Sequence, residues 1–154
     1  MSEVFKVSDI MSYIETAKSD TPITKVAELM KEEFTSIVPV VDDAGKVKGV
    51  IYAEDLLAPF IPDFFNMIDN FSYITSFGAL DQEVFSDFTH KLFLAEDVMH
   101  TKFTFLKPDD FILKAIFYIV QERRTCIVVV DDQMNYCGII SRLAIINKLY
   151  GNRK

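Results

Sequence analysis

The sequence predicts an α/β (α+β) protein of two βαββα repeats packed with pseudo-two-fold symmetry, with a helical insert between them. The first observation is an internal repeat. A shift of 89 residues carries Asp20, Ile23, Lys25, Val40, Val41, Asp42, Asp43, Gly49 and Ile51 onto Asp109, Ile112, Lys114, Val129, Val130, Asp131, Asp132, Gly138 and Ile140. The second is the form of the repeated stretch. SIVPVVDDAGKVKGVIYAEDL and TCIVVVDDQMNYCGIISRLAI each read as strand, turn, strand and helix start. The third is that each unit has one apolar face, which it can bury against its twin. The repeats span residues 5–58 and 95–150, and the insert spans 59–94.

In chain order, residues 1–11 form a lead-in with a helical turn ending at Met11. Residues 12–18 are a first strand. Ser19-Asp20-Thr21-Pro22 starts a helix, with Asp20 or Thr21 as cap and Pro22 in the first turn. That helix runs to about Glu33, with Ile23, Val26, Ala27 and Met30 on one face. Ile37 to Val41 is apolar and β-branched apart from Pro39. Asp42-Asp43-Ala44-Gly45 is turn chemistry, with Gly45 free to take a positive φ. Residues 47–52 return as a strand in which Gly49 leaves room for close approach. Asp55 falls in the first turn of the next helix, where a carboxylate is favoured.

The insert is not a polar connector. It holds eight of the 14 phenylalanines: Phe60, Phe64, Phe65, Phe71, Phe77, Phe85, Phe88 and Phe93. Its apolar spacing is helical from Phe60 through Ile74. Pro62-Asp63 starts one helix, Gly78 stops it, and Asp81 caps another. Two helices on the flank of the repeats are the plain reading. A homodimer or partner surface is the addition that so much aromatic area invites.

The second half repeats the plan. Residues 95–99 are a helical turn, and residues 100–107 are a strand with Phe103 and Phe105. Pro108-Asp109-Asp110 starts a helix carrying Ile112, Ala115, Ile116 and Ile119. Strands follow at 125–130 and 136–141, then a helix from Arg142 to about Leu149, ended by Gly151. If Val130 lies near Tyr136, facing residue numbers sum to about 266. Cys126 then faces Ile140 and Cys137 faces Val129, so the two cysteines form no disulfide.

Composition narrows the function classes. At 154 residues the chain is one compact unit or two tightly packed halves. Its net charge of −7 disfavours nucleic acid, which needs a basic face. No signal peptide or membrane-spanning stretch is read, which points to a cytoplasmic protein. Asp42-Asp43 and Asp131-Asp132 read as turn formers rather than metal carboxylates. His90 and His100 join no nucleophile-base set and no metal-ligand spacing. No metal, required cofactor or catalytic residue is expected.

With Asp9-Ile10-Met11 and residues 36–55 set beside Asp97-Val98-Met99 and residues 125–144, the pattern resembles a tandem pair of cystathionine β-synthase (CBS) domains, a Bateman module. The resemblance covers about two thirds of the chain. It implies a regulatory, non-catalytic module that binds adenine nucleotides and forms a dimer. It also implies a Gly-x-x-(Ser/Thr)-x-x-Asp signature in each half, with the hydroxyl on a phosphate and the Asp on the ribose diol. Here the signature is split. The first half has Gly49, Tyr52 and Asp55, and the second has Gly138, Ser141 and Ala144. Only Asp55 keeps the ribose clamp, so one site per chain is expected. The implied base pocket comprises Ile14, Thr16, Ser36, Ile37 and Pro39 in the first half. Its counterpart is Phe103, Phe105, Thr125, Cys126 and Val128. Arg142 beside Ser141 is the first phosphate candidate, ahead of Arg123, Arg124 and Lys102. AMP, ADP, ATP or a cyclic dinucleotide is the expected ligand. The alternative is a ligand-independent dimerisation or protein-interaction module, with the 59–94 helices facing a protein target.

Overall fold

The computed structural model describes residues 4–60 and 93–151. The helices expected within 61–92 lie outside the described residues. The elements are α1 (Ile23–Glu33), β1 (Ile37–Val41), β2 (Val47–Tyr52), α2 (Ala53–Leu57), α3 (Ala95–Val98), β3 (Phe105–Leu106), α4 (Ile112–Glu122), β4 (Cys126–Val130), β5 (Tyr136–Ser141) and α5 (Arg142–Tyr150). Short 3-10 turns occupy Val7–Asp9 and Ala58–Phe60.

Each half is an antiparallel hairpin with helices outside it. β1 pairs with β2 and β4 with β5, and both ladders carry a bulge at the equivalent step, Val40/Val41 and Val129/Val130. The bulge corrects the expected register. Cys126 faces Ser141 and Val129 faces Gly138, while Val130 still faces Tyr136. Cys137 is the extra residue of the bulge. Both cysteines are free.

The turns match in chemistry. Asp42 Oδ1 accepts the N–H groups of Ala44 (2.9 Å) and Lys46 (3.0 Å). Asp131 Oδ1 accepts those of Gln133 (2.9 Å) and Asn135 (2.8 Å). These bonds favour the ionised carboxylate, and both aspartates are held below the usual value of 3.8, chiefly by the Lys46 and Asn135 amides respectively. Gly45 takes φ 84°, as expected; its counterpart Met134 takes φ 66°.

Several expectations shift. Residues 12–18 are extended but form no regular strand: Ser12 bridges Ile139, and Ala17 bridges Val40 through Ala17 N–H to Pro39 O and Val41 N–H to Ala17 O, both 2.9 Å. Pro39 has no N–H with which to extend that ladder. Its counterpart Val128 does, and there Phe105 and Leu106 pair with Val128 and Val129 as a two-residue β3, shorter than the expected 100–107. The N-cap of α1 is Pro22, because the Thr21 hydroxyl is engaged by Lys18 N–H at 2.9 Å. Leu29 rather than Ala27 completes the buried face of α1. Residues 108–110 form a turn closed by Lys107 N–H on Asp110 Oδ2, which delays α4 to Ile112.

Three apolar clusters hold the molecule. The central one joins Ile37, Val50 and Tyr52 of the first half to Cys126, Val128 and Ile139 of the second. The two outer ones lie under the helices, and each is completed by a lead-in from the opposite half. Val7 packs with Leu106, Ala115 and Ile140, and Ala95 with Val26, Val38 and Ile51. Backbone bonds fix the exchange. Val7 N–H meets Asp110 O at 2.8 Å, and Ala95 N–H meets Thr21 O at 2.8 Å. Fully burying each such Val or Ile contributes about 1.5–3 kcal/mol.

The pseudo-two-fold axis is visible in residues that meet their own counterparts, by side chain or by backbone. The hydroxyls of Ser36 and Thr125 share a hydrogen bond, and Lys46 bridges Asn135. Two cleft positions between the halves are thereby related, one beside Tyr52 and one beside Ser141.

Candidate functional site

The site begins at the end of β2. The Tyr52 N–H donates to Asp55 Oδ2 at 2.7 Å, closing the first turn of α2. The exchanged lead-in then brings His100 to the same carboxylate. His100 and Val50 exchange backbone hydrogen bonds of 2.8 and 3.1 Å. Gly49 makes this approach feasible: a Cβ there would sit 2.8 Å from Met99 Sδ and 2.9 Å from His100 O. His100 Nε2–H reaches Asp55 Oδ1 at 2.8 Å and Oδ2 at 2.9 Å.

A second cross-half contact lies alongside. The Arg124 guanidinium stacks 3.8 Å from the Tyr52 ring centroid. Its Nη1 donates to Glu54 Oε1 at 2.9 Å. Burial raises the pKa of Tyr52, against the opposing pull of Arg124, so its hydroxyl stays neutral at physiological pH. Tyr52, His100, Lys102, Phe103, Thr104, Glu122 and Arg124 enclose a cleft of about 350 Å³. Thr104 donates to Glu122 at 2.7 Å, whereas Lys102 has no ion-pair partner among the described residues. Asp55 lies behind His100. It faces a separate apolar pocket of about 190 Å³ with Leu56, Phe60, Phe93 and Val98.

The structure brings together only some of the residues singled out in the sequence. Tyr52, Phe103, Lys102 and Arg124 line the cleft. Ile14, Ile37, Cys126 and Val128 belong to the central core, and Pro39 is buried within β1. Thr16 is half-buried. Ser36 and Thr125 bond to each other on the axis. The Ser141 hydroxyl caps α5 by accepting Ala144 N–H at 3.1 Å. Phe105 stands edge-on to Phe103 at 6.1 Å. Arg142 and Arg123 border a different groove, of about 590 Å³ between α4 and α5.

The twin position is built differently. Tyr52, Glu54, Asp55 and Arg124 correspond to Ser141, Leu143, Ala144 and Thr35 at the shift of 89, and His100 aligns with Ser12 through the Asp-x-Met lead-ins. None of the cross-half side-chain contacts recurs there, although the backbone exchange does: Ser12 and Ile139 trade hydrogen bonds of 2.9 and 2.8 Å. Instead, the Tyr136 hydroxyl donates to Ile14 O at 3.0 Å and accepts Ile14 N–H at 3.2 Å. Tyr13 packs on the Tyr136 ring at 5.0 Å. Burial pushes the Tyr136 pKa up to about 12.

Among the described residues, no cluster of three or more His, Cys, Asp or Glu could hold a metal ion. No helix among them is long and apolar enough to cross a membrane.

The chain is similar to known proteins over nearly its whole length. It is 26% identical over 155 residues to the uncharacterised protein MJ1426 of Methanocaldococcus jannaschii, covering 96% of this chain and 92% of that one. Its fold matches CBSX2 of Arabidopsis thaliana with a TM-score of 0.72 at 20% identity, covering 97% of this chain and 96% of that one. A structure of CBSX2 in complex with AMP matches at 0.71 and 21% identity, covering 97% and 99%. The CBS domain pair of MJ0100, in complex with 5′-methylthioadenosine and S-adenosyl-L-methionine, matches at 0.71 and 18% identity, covering 98% and 100%. The family model of the CBS domain matches residues 7–60 and again 95–151, so the chain belongs to the CBS domain family and carries a CBS pair.

Proposed function

We propose that this CBS pair is a regulatory, non-catalytic module that binds one adenine nucleotide per chain, in the cleft beside Tyr52. One observation carries the reading. Tyr52, His100 and Arg124 meet from both halves at one cleft, with Asp55 bonded to His100 and Glu54 to Arg124, and the counterparts of Tyr52, Glu54, Asp55, Arg124 and His100 are Ser141, Leu143, Ala144, Thr35 and Ser12. The fold does not require them, so their convergence serves something else. Their chemistry suits a nucleotide. A carboxylate accepts two hydrogen bonds from a ribose diol, and Lys102 and Arg124 offer cations to phosphate. Phe103 and Tyr52 offer faces to a base. CBSX2 with AMP and the MJ0100 pair with adenosine-derived ligands lend support from the same fold.

The test is a thermal-shift series against AMP, ADP, ATP, cyclic di-AMP, NAD and S-adenosylmethionine, with Asp55→Ala beside the parent. A ligand at a hundred times its dissociation constant stabilises by about 2.7 kcal/mol. A shift with one ligand that is lost in Asp55→Ala supports the site. No shift with any ligand overturns it.

A second element of the reading is a homodimer. Leu113, Phe117 and Val120 of α4 and Leu143, Ile146 and Tyr150 of α5 are all exposed, Leu113 by 73% and Phe117 by 59%. The matching positions of the first half carry Thr24, Glu28, Lys31 and Glu54 in place of Leu113, Phe117, Val120 and Leu143, while Ile146 and Tyr150 match the apolar Leu57 and Ile61. A helix apolar on its outer as well as its inner side is built to be covered. A second copy meeting this face through its own α4 and α5 gives the module a surface on which ligand binding can be read. If the nucleotide series is silent while the dimer persists, the ligand-independent interaction module is the better description. The 59–94 segment remains a proposed surface for a protein target.

A further inference from the structure

We infer that two copies of the chain meet through their second repeats alone, with the two α4 helices antiparallel, so that Arg123 of each copy lies beside Asp109 of the other. The inference rests on the homodimer reading and adds the register and the residues that set it. The face is large enough to hold a dimer. The exposed apolar side chains of α4 and α5 run from 38% (Leu149) to 73% (Leu113) of full exposure. Together they present roughly 700–800 Å² per chain, against the roughly 800 Å² that each partner brings to a standard interface. Single surface hydrophobics need no cover, but a contiguous patch of this size marks an interaction site.

Charge then selects the arrangement, because the two ends of the face differ in sign. At the N-terminal end of α4, Asp109, Asp110, Asp131 and Asp132 line a depression with Lys107. At the C-terminal end, Arg123 and Arg142 border the α4/α5 groove. Lys107 pairs with Asp132 and Lys114 with Asp110. Asp109, Arg123 and Arg142 have no ion pair among the described residues. A surface that meets its own copy across a two-fold axis must be self-complementary. Antiparallel α4 helices satisfy this. Asp109 and Arg123 lie equally far in sequence on either side of Ile116. Each arginine then reaches the other copy's aspartate, Leu113 approaches Val120, and Phe117 falls near the axis. Parallel helices would set acid on acid and base on base. A head-to-tail contact would set Leu113, Phe117 and Val120 on Thr24, Glu28 and Lys31 of α1, burying charge against apolar surface. The α1 faces of the first repeats are therefore left outside the contact.

Sedimentation equilibrium of the full chain at low salt tests this, with the parent, Asp109→Arg, Arg123→Asp, the doubly substituted chain, and an equimolar mixture of the two single variants. Both side chains are exposed, so the substitutions leave the fold intact. In either single variant both ion pairs become like-charged, and the dimer is expected to weaken about tenfold. In the mixed dimer the introduced arginine faces the introduced aspartate, and native Arg123 faces native Asp109. The mixture and the double variant are therefore expected to dimerise as tightly as the parent. Single variants that match the parent, or a mixture no tighter than its components, overturn the inference while the homodimer reading stands. A monomeric parent overturns the homodimer reading, and this register falls with it.

Discussion

Tyr136→Phe removes one oxygen atom and isolates one structural claim, that a tyrosine closes the twin cleft from within. The hydroxyl donates to Ile14 O at 3.0 Å and accepts Ile14 N–H at 3.2 Å. The ring stays, so the central core keeps its volume. Two hydrogen bonds are lost, and a backbone donor and acceptor with no regular strand around them lose their partner. A net hydrogen bond is worth about 1 kcal/mol, and a buried group left unpaired costs about 1–3 kcal/mol. The site is only part-buried, so roughly 2 kcal/mol is expected in total. For a chain of this size that is a fall in Tm of about 4–8 °C. Urea unfolding followed by circular dichroism measures it, with Tyr13→Phe as control because Tyr13 is 72% exposed. The same residue predicts an alkaline limb. Its folded pKa, about 12, lies above the usual 10. The tyrosine's contribution is therefore complete below pH 10 and is lost as pH rises through 12. A Tyr136→Phe protein as stable as the parent, with the same alkaline limb, would refute the reasoning.

Other perturbations test other parts. A Cβ at Gly138 would lie 2.7 Å from Ser12 O; Gly138→Ala should cost about 1–3 kcal/mol in urea unfolding, because backbone rather than a side-chain tip must yield. Phe117→Glu should turn a dimer into a monomer in sedimentation velocity, and Thr24→Glu, at the first-half position equivalent to Leu113, should leave the dimer intact. Asp42 and Asp131 are held below 3.8 by turn amides. Their contribution is present above 3.8 and is lost as pH falls through the lower folded values, so Asp42→Asn with Asp131→Asn should flatten the acid limb of a stability profile.

Much of the fold is legible because the chain states it twice. Apolar runs, Asp-rich turns and glycines recur at one spacing, and each copy vouches for the other. What escapes the sequence is long-range. Pro39 suppresses a strand that Val128 permits, a consequence visible only once the partner ladder is known. The bulge at Cys137 moves the register by one residue, which the alternation of apolar residues does not reveal. His100 was invisible as a site residue because it lies 45 residues from Asp55 and reaches it through an exchanged segment. Comparing the two lead-ins holds a clue, since His100 stands where the first copy has Ser12. Asp55, Tyr52 and Arg124 were readable as candidates. That Arg142 belongs to another face was not, because neighbouring residues at a strand end point to opposite sides.

The exchange of lead-ins also bears on ancestry and on engineering. The unit repeated in the sequence is not the unit that closes a core, because Val7 completes one core and Ala95 the other. A lone repeat would leave its own outer cluster open and hold a lead-in with nowhere to go. Two copies of such a peptide could satisfy each other by reciprocal swapping, so an ancestor of one repeat would have been an obligate pair before the halves became one chain. For the same reason, cutting the gene between the repeats should not yield two independent domains. It should yield two fragments that fold only when mixed, as a complementing pair.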